Sequence, residues 1–216
     1  MRMGVTGVGR IGVMHARNIV ATPGVRELVL HDPAPGRAAE VAAELTGAVV
    51  VRAVDSLADL LSCVDGVLVA TPTPTHAEVV HAAVDAGVPV LVEKPLAGDP
   101  ATVREVIEHV ERSGVEVLVG FQRRFDPAIA ELKRRISSGE IGDLYYVRAT
   151  AFDAEPPAAE YIPTSGGIFR DMFVHDLDCV PWLVGRDVVE VFASGSVLVD
   201  QAFADAGDLD TAVVTL

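Results

Sequence analysis

The stretch that most constrains this chain is Met3-Gly4-Val5-Thr6 followed by Gly7-Val8-Gly9-Arg10-Ile11-Gly12. A short apolar strand runs into a glycine-rich turn, and the turn opens a helix carrying Ile11, Met14, Ile19 and Val20. Each glycine has its own reason. Gly7 permits the tight turn, Gly9 lets the backbone approach a pyrophosphate seated on the helix N-terminus, and Gly12 lets helix and strand pack closely. This is the G-x-G-x-x-G dinucleotide fingerprint in its strand-turn-helix setting. Arg10 and Ile11 share the turn, so all five residues are expected cofactor contacts.

A glycine-rich turn alone is a common feature, so the second strand is the test. Leu28-Val29-Leu30-His31-Asp32 is an apolar run ending in an acid, 20 residues beyond Gly12. A carboxylate there accepts hydrogen bonds from the adenosine ribose and repels a 2′-phosphate, which favours NAD over NADP. The alternative reading is that Asp32 merely opens the Asp32-Pro33 turn, and Arg37 lies near enough in sequence to bear on the cofactor choice.

Strand and helix then alternate. Ala38, Val41, Ala42 and Leu45 recur at helical spacing up to Gly47, and residues 48–51 read as a third strand. A short helix is expected over 55–61 and a fourth strand over 66–70. That strand ends in Thr71-Pro72-Thr73-Pro74-Thr75-His76, a stiff loop with few free amide donors, after which Thr75 and Glu78 have the spacing of a capping box. Thr71, Pro72 and His76 are expected along the cofactor, with His76 as a surface or cofactor-contact residue. Val88-Pro89-Val90-Leu91-Val92 is a buried strand delivering Glu93, Lys94 and Pro95 at its carboxyl end. Ligands of open α/β sheets sit at that end. Lys94 is therefore either a solvated strand-end lysine or a residue of the chemistry, with Glu93 beside the cofactor. Asp99-Pro100 starts a helix and residues 115–119 form a sixth strand, giving a doubly wound parallel sheet over residues 1–120.

Composition narrows the function. Thirty-one acidic residues against 17 Lys plus Arg leave a formal charge of -14, so nucleic acid and acidic membrane surfaces are not expected partners. The two cysteines, Cys63 and Cys179, lack metal-site spacing and fit a reducing, cytoplasmic setting without a metal. Half the residues are hydrophobic, yet no run reaches the length of a membrane span.

Residues 121–216 change character and are expected to form an α+β domain with a mainly antiparallel sheet. Asp126-Pro127 opens a helix with Ile129, Leu132 and Ile136 as its stripe and Gly139 as its stop. Residues 144–152 have strand composition, and Gly166-Gly167 precedes a helix expected to run over 168–184. In one continuous helix Asp171, His175 and Asp178 fall on a single stripe. An acid one turn from a histidine either pairs structurally or orients the ring for acid-base work. Pro181 should kink or fray the last turn. Strands are expected over 188–199 and from Thr211 onward.

With these residues in view, the chain resembles the glucose-fructose oxidoreductase, inositol dehydrogenase and rhizopine-catabolism family. The resemblance rests on the glycine turn, the Thr71-to-His76 loop, Glu93-Lys94-Pro95, Gly120-Phe121-Gln122-Arg123-Arg124-Phe125-Asp126 and Gly166-Gly167-Ile168-Phe169-Arg170-Asp171-Met172-Phe173-Val174-His175-Asp176. It spans the chain, and its second-domain motifs are most similar to inositol 2-dehydrogenases. It implies an NAD-dependent oxidation of a secondary alcohol in a cyclic polyol or sugar, myo-inositol first, with Lys94, Asp171 and His175 as the catalytic trio and a Lys94-Pro95 strand end that closes over the nicotinamide. It further implies Arg124 near nicotinamide and substrate, Asp153 at the substrate, and a homo-oligomer, dimer or tetramer, assembled through the second domain. The physical requirements agree: a base for the hydroxyl proton and a cation beside the developing alkoxide.

Two departures qualify the resemblance. Where relatives commonly carry Ser-Arg-Asp-Pro, this chain has Ala151-Phe152-Asp153-Ala154, so only Asp153 carries over. Family members are also considerably longer, and the chain is expected to be a fragment or truncated form lacking the last strands of its second sheet, with poor stability or turnover by itself. Competing expectations are another sugar dehydrogenase or reductase, an NAD-dependent glycoside hydrolase, and a non-catalytic dinucleotide-binding protein.

Overall fold

The computed structural model describes every residue except Thr46 and Ala48. The chain divides into two compact units, Met1–Gly120 and Phe121–Leu216.

Unit 1 alternates β1 (Arg2–Thr6), α1 (Arg10–Ala21), β2 (Glu27–His31), α2 (Arg37–Glu44), β3 (Val50–Ala53), α3 (Leu57–Cys63), β4 (Gly66–Val69), α4 (His76–Asp85), β5 (Val90–Val92), α5 (Pro100–Ser113) and β6 (Val117–Val119). The six strands form one parallel sheet in the order β3-β2-β1-β4-β5-β6. This is the doubly wound sheet expected from the alternation. Part of the expected third strand, Ala48, lies outside the described residues.

Side-chain alternation divides the core into two layers. Leu28, Leu30 and Leu68 pack with Val5, Ala16, Ala38 and Val41 on the side of α1 and α2. Val29, Val67, Val69, Val90 and Val92 pack with Leu60, Val80, Ala83 and Val106 on the side of α3, α4 and α5. Helices on both faces require both alternations to be apolar, which is why these strands read as continuous hydrophobic runs. Leu60 is fully buried, and its truncation to alanine would cost about 2–5 kcal/mol.

Local chemistry sets the helix starts. Asp99 caps α5 by accepting from the amides of Ala101 and Thr102, with Pro100 in the first turn. Helix α3 begins two residues later than expected because Ser56 Oγ takes the Asp59 amide. The capping box at Thr75 does not form. A 3-10 turn over Thr73–Thr75 leads directly into α4, and Thr75 already has helical backbone angles with no side-chain cap.

Unit 2 contains α6 (Pro127–Ser137), α7 (Ile162–Ser165), α8 (Ile168–Asp171), α9 (Val174–Val184), β7 (Phe192–Ser196), α10 (Gln201–Asp205) and β8 (Thr211–Thr215). Asp126 caps α6 through Ala128 N and Ile129 N, as its sequence implies. Strands β7 and β8 pair antiparallel from Phe192↔Thr215 to Ser196↔Thr211.

Three expectations are corrected here. Residues 144–152 form no strand; Tyr145 and Phe152 are about nine-tenths exposed, and strand propensity yields a strand only where a neighbouring ladder exists. The single helix over 168–184 is two helices. Met172 N and Phe173 N both reach Ile168 O, and His175 N and Asp176 N make tighter bonds to Met172 O and Phe173 O. Pro181 does not fray the last turn of α9, which continues to Val184 and closes when Gly185 N reaches Pro181 O at 2.8 Å. The short helix α10, capped by Asp200, was not apparent from periodicity because it spans little more than one turn.

Candidate active site

In unit 1 every expected cofactor residue lies in a segment that leaves the carboxyl edge of β1, β2, β4 or β5, four strands that are neighbours in the sheet. The chain passes from β1 to β2 on one side and reaches β4 on the other, so the crevice of the fold opens between β1 and β4.

The three glycines meet three different environments. Gly7 has φ +84°, and a Cβ on it would lie 2.6 Å from the backbone of Ala70 and Thr71. A Cβ on Gly12 would lie 1.8 Å from Gly7 O, so α1 is pressed against the turn. Around Gly9 a Cβ would meet nothing within 4 Å, and Gly9 caps α1 without a side-chain bond. The first-turn amides following Gly9, those of Arg10, Ile11 and Gly12, thus present a helix N-terminus beside open space. That is the cradle a pyrophosphate needs, and the residues fit the dinucleotide.

Asp32 faces this turn. Its Oδ2 accepts from Val8 N at 2.7 Å and its Oδ1 from Ala34 N at 2.9 Å. Asp32 thus closes its turn, as the alternative reading has it, and a carboxylate so engaged keeps lone pairs that could accept from ribose hydroxyls. Arg37 Nε reaches Val8 O at 3.3 Å, placing its guanidinium beside the same turn. Behind them, Thr6 Oγ1 and His31 Nδ1 are 2.9 Å apart. Burial lowers the His31 pKa despite the opposing charge of Asp32.

The loop after β4 is tied internally. Thr75 Oγ1 is 2.8 Å from both Pro72 O and Thr71 Oγ1; the carbonyl only accepts, so the Thr71 hydroxyl donates to Thr75. His76 is not a surface residue and does not offer its ring to the crevice. It is buried, with Nδ1 2.8 Å from Pro95 O and Nε2 2.7 Å from Thr71 O.

After β5, Glu93 N binds Val69 O and the Lys94-Pro95 peptide is cis. Glu93 Oε1 is 2.5 Å from His15 Nε2. Burial pushes the Glu93 carboxyl up, but His15 together with the Lys94 amide and charge outweighs it and holds the group below the usual glutamate range. Local patterns gave no sign of this pair, because 78 residues separate the partners.

In unit 2 the break between α8 and α9 falls within the expected stripe. Asp171 ends α8 and His175 lies in the first turn of α9. Tyr161 donates its hydroxyl to Asp171 Oδ2 at 2.9 Å, a contact hidden in a stretch that reads only as a proline-rich loop. Asp178 lies three residues beyond His175 on the same helix α9. It binds Arg124 through two contacts, at 2.9 Å to Nε and 2.5 Å to Nη2, and raises the guanidinium pKa. Arg124 also sits 5.6 Å from the Trp182 ring centroid, as does Lys133 Nζ. Arg123 pairs likewise with Asp176 at 2.6 Å. Arg124 is thus held by its own unit through two of its three nitrogens. Asp153 is exposed in an irregular segment. Among the described residues no cluster of metal ligands occurs, and no helix is long and apolar enough to cross a membrane.

Comparison with known proteins is consistent along the chain. Residues 1–121 match an oxidoreductase family described by its NAD-binding Rossmann fold, and residues 129–216 match the GFO/IDH/MocA C-terminal domain. A myo-inositol dehydrogenase, Hyg17, of Streptomyces leeuwenhoekii is 42% identical over 98% of this chain and 64% of its own length. Myo-inositol 2-dehydrogenase of Thermotoga maritima is 41% identical over 100% of this chain and 64% of its own. A crystal structure of scyllo-inositol dehydrogenase from Lactobacillus casei with bound NAD(H) and scyllo-inositol superposes with a TM-score of 0.84 at 26% identity, over 99% of this chain and 65% of that one. The chain spans a little under two thirds of the length of the curated relatives it matches.

Proposed function

Because the chain belongs to the GFO/IDH/MocA family of NAD-binding oxidoreductases, we propose that it serves an NAD-dependent oxidation of a secondary alcohol on a cyclic polyol, an inositol first. The observation that carries this reading is the match of nearly the whole chain to inositol dehydrogenases, and the chain carries Lys94, Asp171 and His175.

Unit 1 takes the cofactor: the turn from Gly7 to Gly12 holds the pyrophosphate, Asp32 receives the ribose hydroxyls, and Thr71, Pro72 and Glu93 line the nicotinamide end. When bound, the nicotinamide supplies the hydride acceptor. Lys94 places a positive charge against the developing alkoxide and His175 takes the hydroxyl proton, a task suited to an imidazole. Asp171, steadied by Tyr161, orients the acid-base pair. Arg124 and Asp153 bear on substrate choice, and Arg124 does so as a fixed edge, given its bonds to Asp178. The same reading includes a cytoplasmic homo-oligomer assembled through unit 2, supported by the exposed Phe192 and Val213 on the β7–β8 ladder.

Steady-state NADH formation with myo-inositol, scyllo-inositol and a panel of aldoses tests the proposal. Turnover with an inositol, abolished in Lys94→Ala and His175→Ala, is the expected result; an aldose as the preferred substrate, or sugar release without net NADH, would replace it.

A further inference from the structure

His76 is 1% exposed, and each of its ring nitrogens faces a backbone carbonyl oxygen, Nδ1 to Pro95 O at 2.8 Å and Nε2 to Thr71 O at 2.7 Å. A carbonyl accepts and never donates, whereas a neutral imidazole carries one N–H. In either neutral tautomer one nitrogen lone pair would point at an oxygen lone pair at hydrogen-bond distance, where no solvent relieves the repulsion. Only the ring with both N–H groups satisfies both carbonyls.

We infer that His76 is held as an imidazolium and acts as a positioning residue, clamping the carbonyl that directly follows Lys94 to the carbonyl that opens the loop after β4. Charge-assisted hydrogen bonds are about twice as strong as neutral ones, which offsets the cost of burying a cation at the start of a helix. The ionisable groups on the segments that carry the ring and its two carbonyls are Glu78, which is exposed, His81 and Asp85 on α4, and Glu93 and Lys94 ahead of Pro95; Asp85 is bound to His109 and Glu93 to His15. The two carbonyls lie at hydrogen-bond distance from the two ring nitrogens. The clamp joins the ends of β4 and β5, the two strands whose loops carry Thr71 and Lys94. Its bearing on catalysis rests on the proposed role of Lys94; the clamp itself does not.

Long-range 1H–15N correlation spectra of the labelled chain, with the His76 signals assigned by their loss in His76→Gln, read the ring directly. At about pH 8, where an ordinary histidine is neutral, both His76 nitrogens are expected at imidazolium positions. One nitrogen at the unprotonated position overturns the assignment. Glutamine offers a donor to one carbonyl and an oxygen to the other, so in His76→Gln the amides of Lys94, Leu96 and Ala97 should exchange with solvent at least about tenfold faster while those of β1 and β2 stay protected. Unchanged exchange at these three residues overturns the clamp. If the chain turns over an inositol, kcat should fall about tenfold with the polyol KM altered less than about threefold, and an unchanged kcat overturns the positioning role. Absence of turnover in the parent chain counts against the proposed function and leaves the spectral and exchange results to decide the clamp.

Discussion

His15 Nε2 and Glu93 Oε1 lie 2.5 Å apart, joining the second turn of α1 to the residue that precedes Lys94. The helix proposed to receive the pyrophosphate and the strand end that carries the proposed catalytic lysine are thus braced together. Glu93 titrates below its ordinary value of 4.5 in the folded chain, so its contribution to stability is complete above that value and is lost as pH falls through the depressed folded value. Replacing His15 with alanine removes the larger opposing influence and leaves only the Lys94 amide and charge against the burial that pushes the carboxyl up. The acid unfolding midpoint of His15→Ala, followed by far-ultraviolet circular dichroism, should move to higher pH, with little change in stability at neutral pH beyond about 1–2 kcal/mol.

Gly9 and Gly12 predict opposite failures within one motif. Gly12→Ala drives a methyl into Gly7 O and should destabilise the chain by about 3 kcal/mol or more, visible as a lowered Tm. Gly9→Ala meets open space, so Tm should hold while the methyl occupies the cradle and NAD affinity falls at least about tenfold by calorimetry.

Asp32 and Arg37 flank the turn that carries Val8. Removing the carboxylate in Asp32→Ser takes away the charge that repels a 2′-phosphate and leaves the guanidinium in place. The ratio of kcat/KM for NADP over NAD should rise by roughly 30-fold, which corresponds to about 2 kcal/mol of relieved like-charge repulsion.

Tyr161 holds Asp171 by one hydrogen bond. Tyr161→Phe should therefore lower kcat by about tenfold through loss of a charge-assisted bond, with the KM for NAD unchanged because the cofactor contacts lie in unit 1. A matching rise in the KM for NAD would remove Tyr161 from this role.

Much of unit 1 was legible from the sequence because its physics is local. Periodicity, a glycine turn and an acid at the next strand end each constrain a few consecutive residues, and both faces of the sheet leave the same apolar signature. The site residues were placed on their strands for the same reason. What escaped depends on partners far away in the chain. His15 could not be connected to Glu93, nor His76 to Pro95, since side-chain pairing across elements leaves no trace in spacing. The stripe of Asp171, His175 and Asp178 assumed 3.6 residues per turn through Met172 and Phe173 and so did not foresee the break there, where the backbone bonds change register. Residues 144–152 show the opposite error: their composition suits a strand, but strand formation belongs to the pair and not to the segment.

The pairing of the basic residues has a kinetic consequence. Arg123, Arg124, Arg134 and Arg135 are each bound to carboxylates of their own unit, as are Arg2 and Arg52. The formal charge is -14 with every basic residue counted, and an anionic pyrophosphate approaches against that far field, with Arg10, Arg37 and the helix end near Gly9 close to the turn to draw it in. Since the Debye length shrinks from about 10 Å at 0.1 M salt to about 3 Å at 1 M, added salt should hasten the encounter while the short-range hold of the turn, and so the dissociation rate, changes far less.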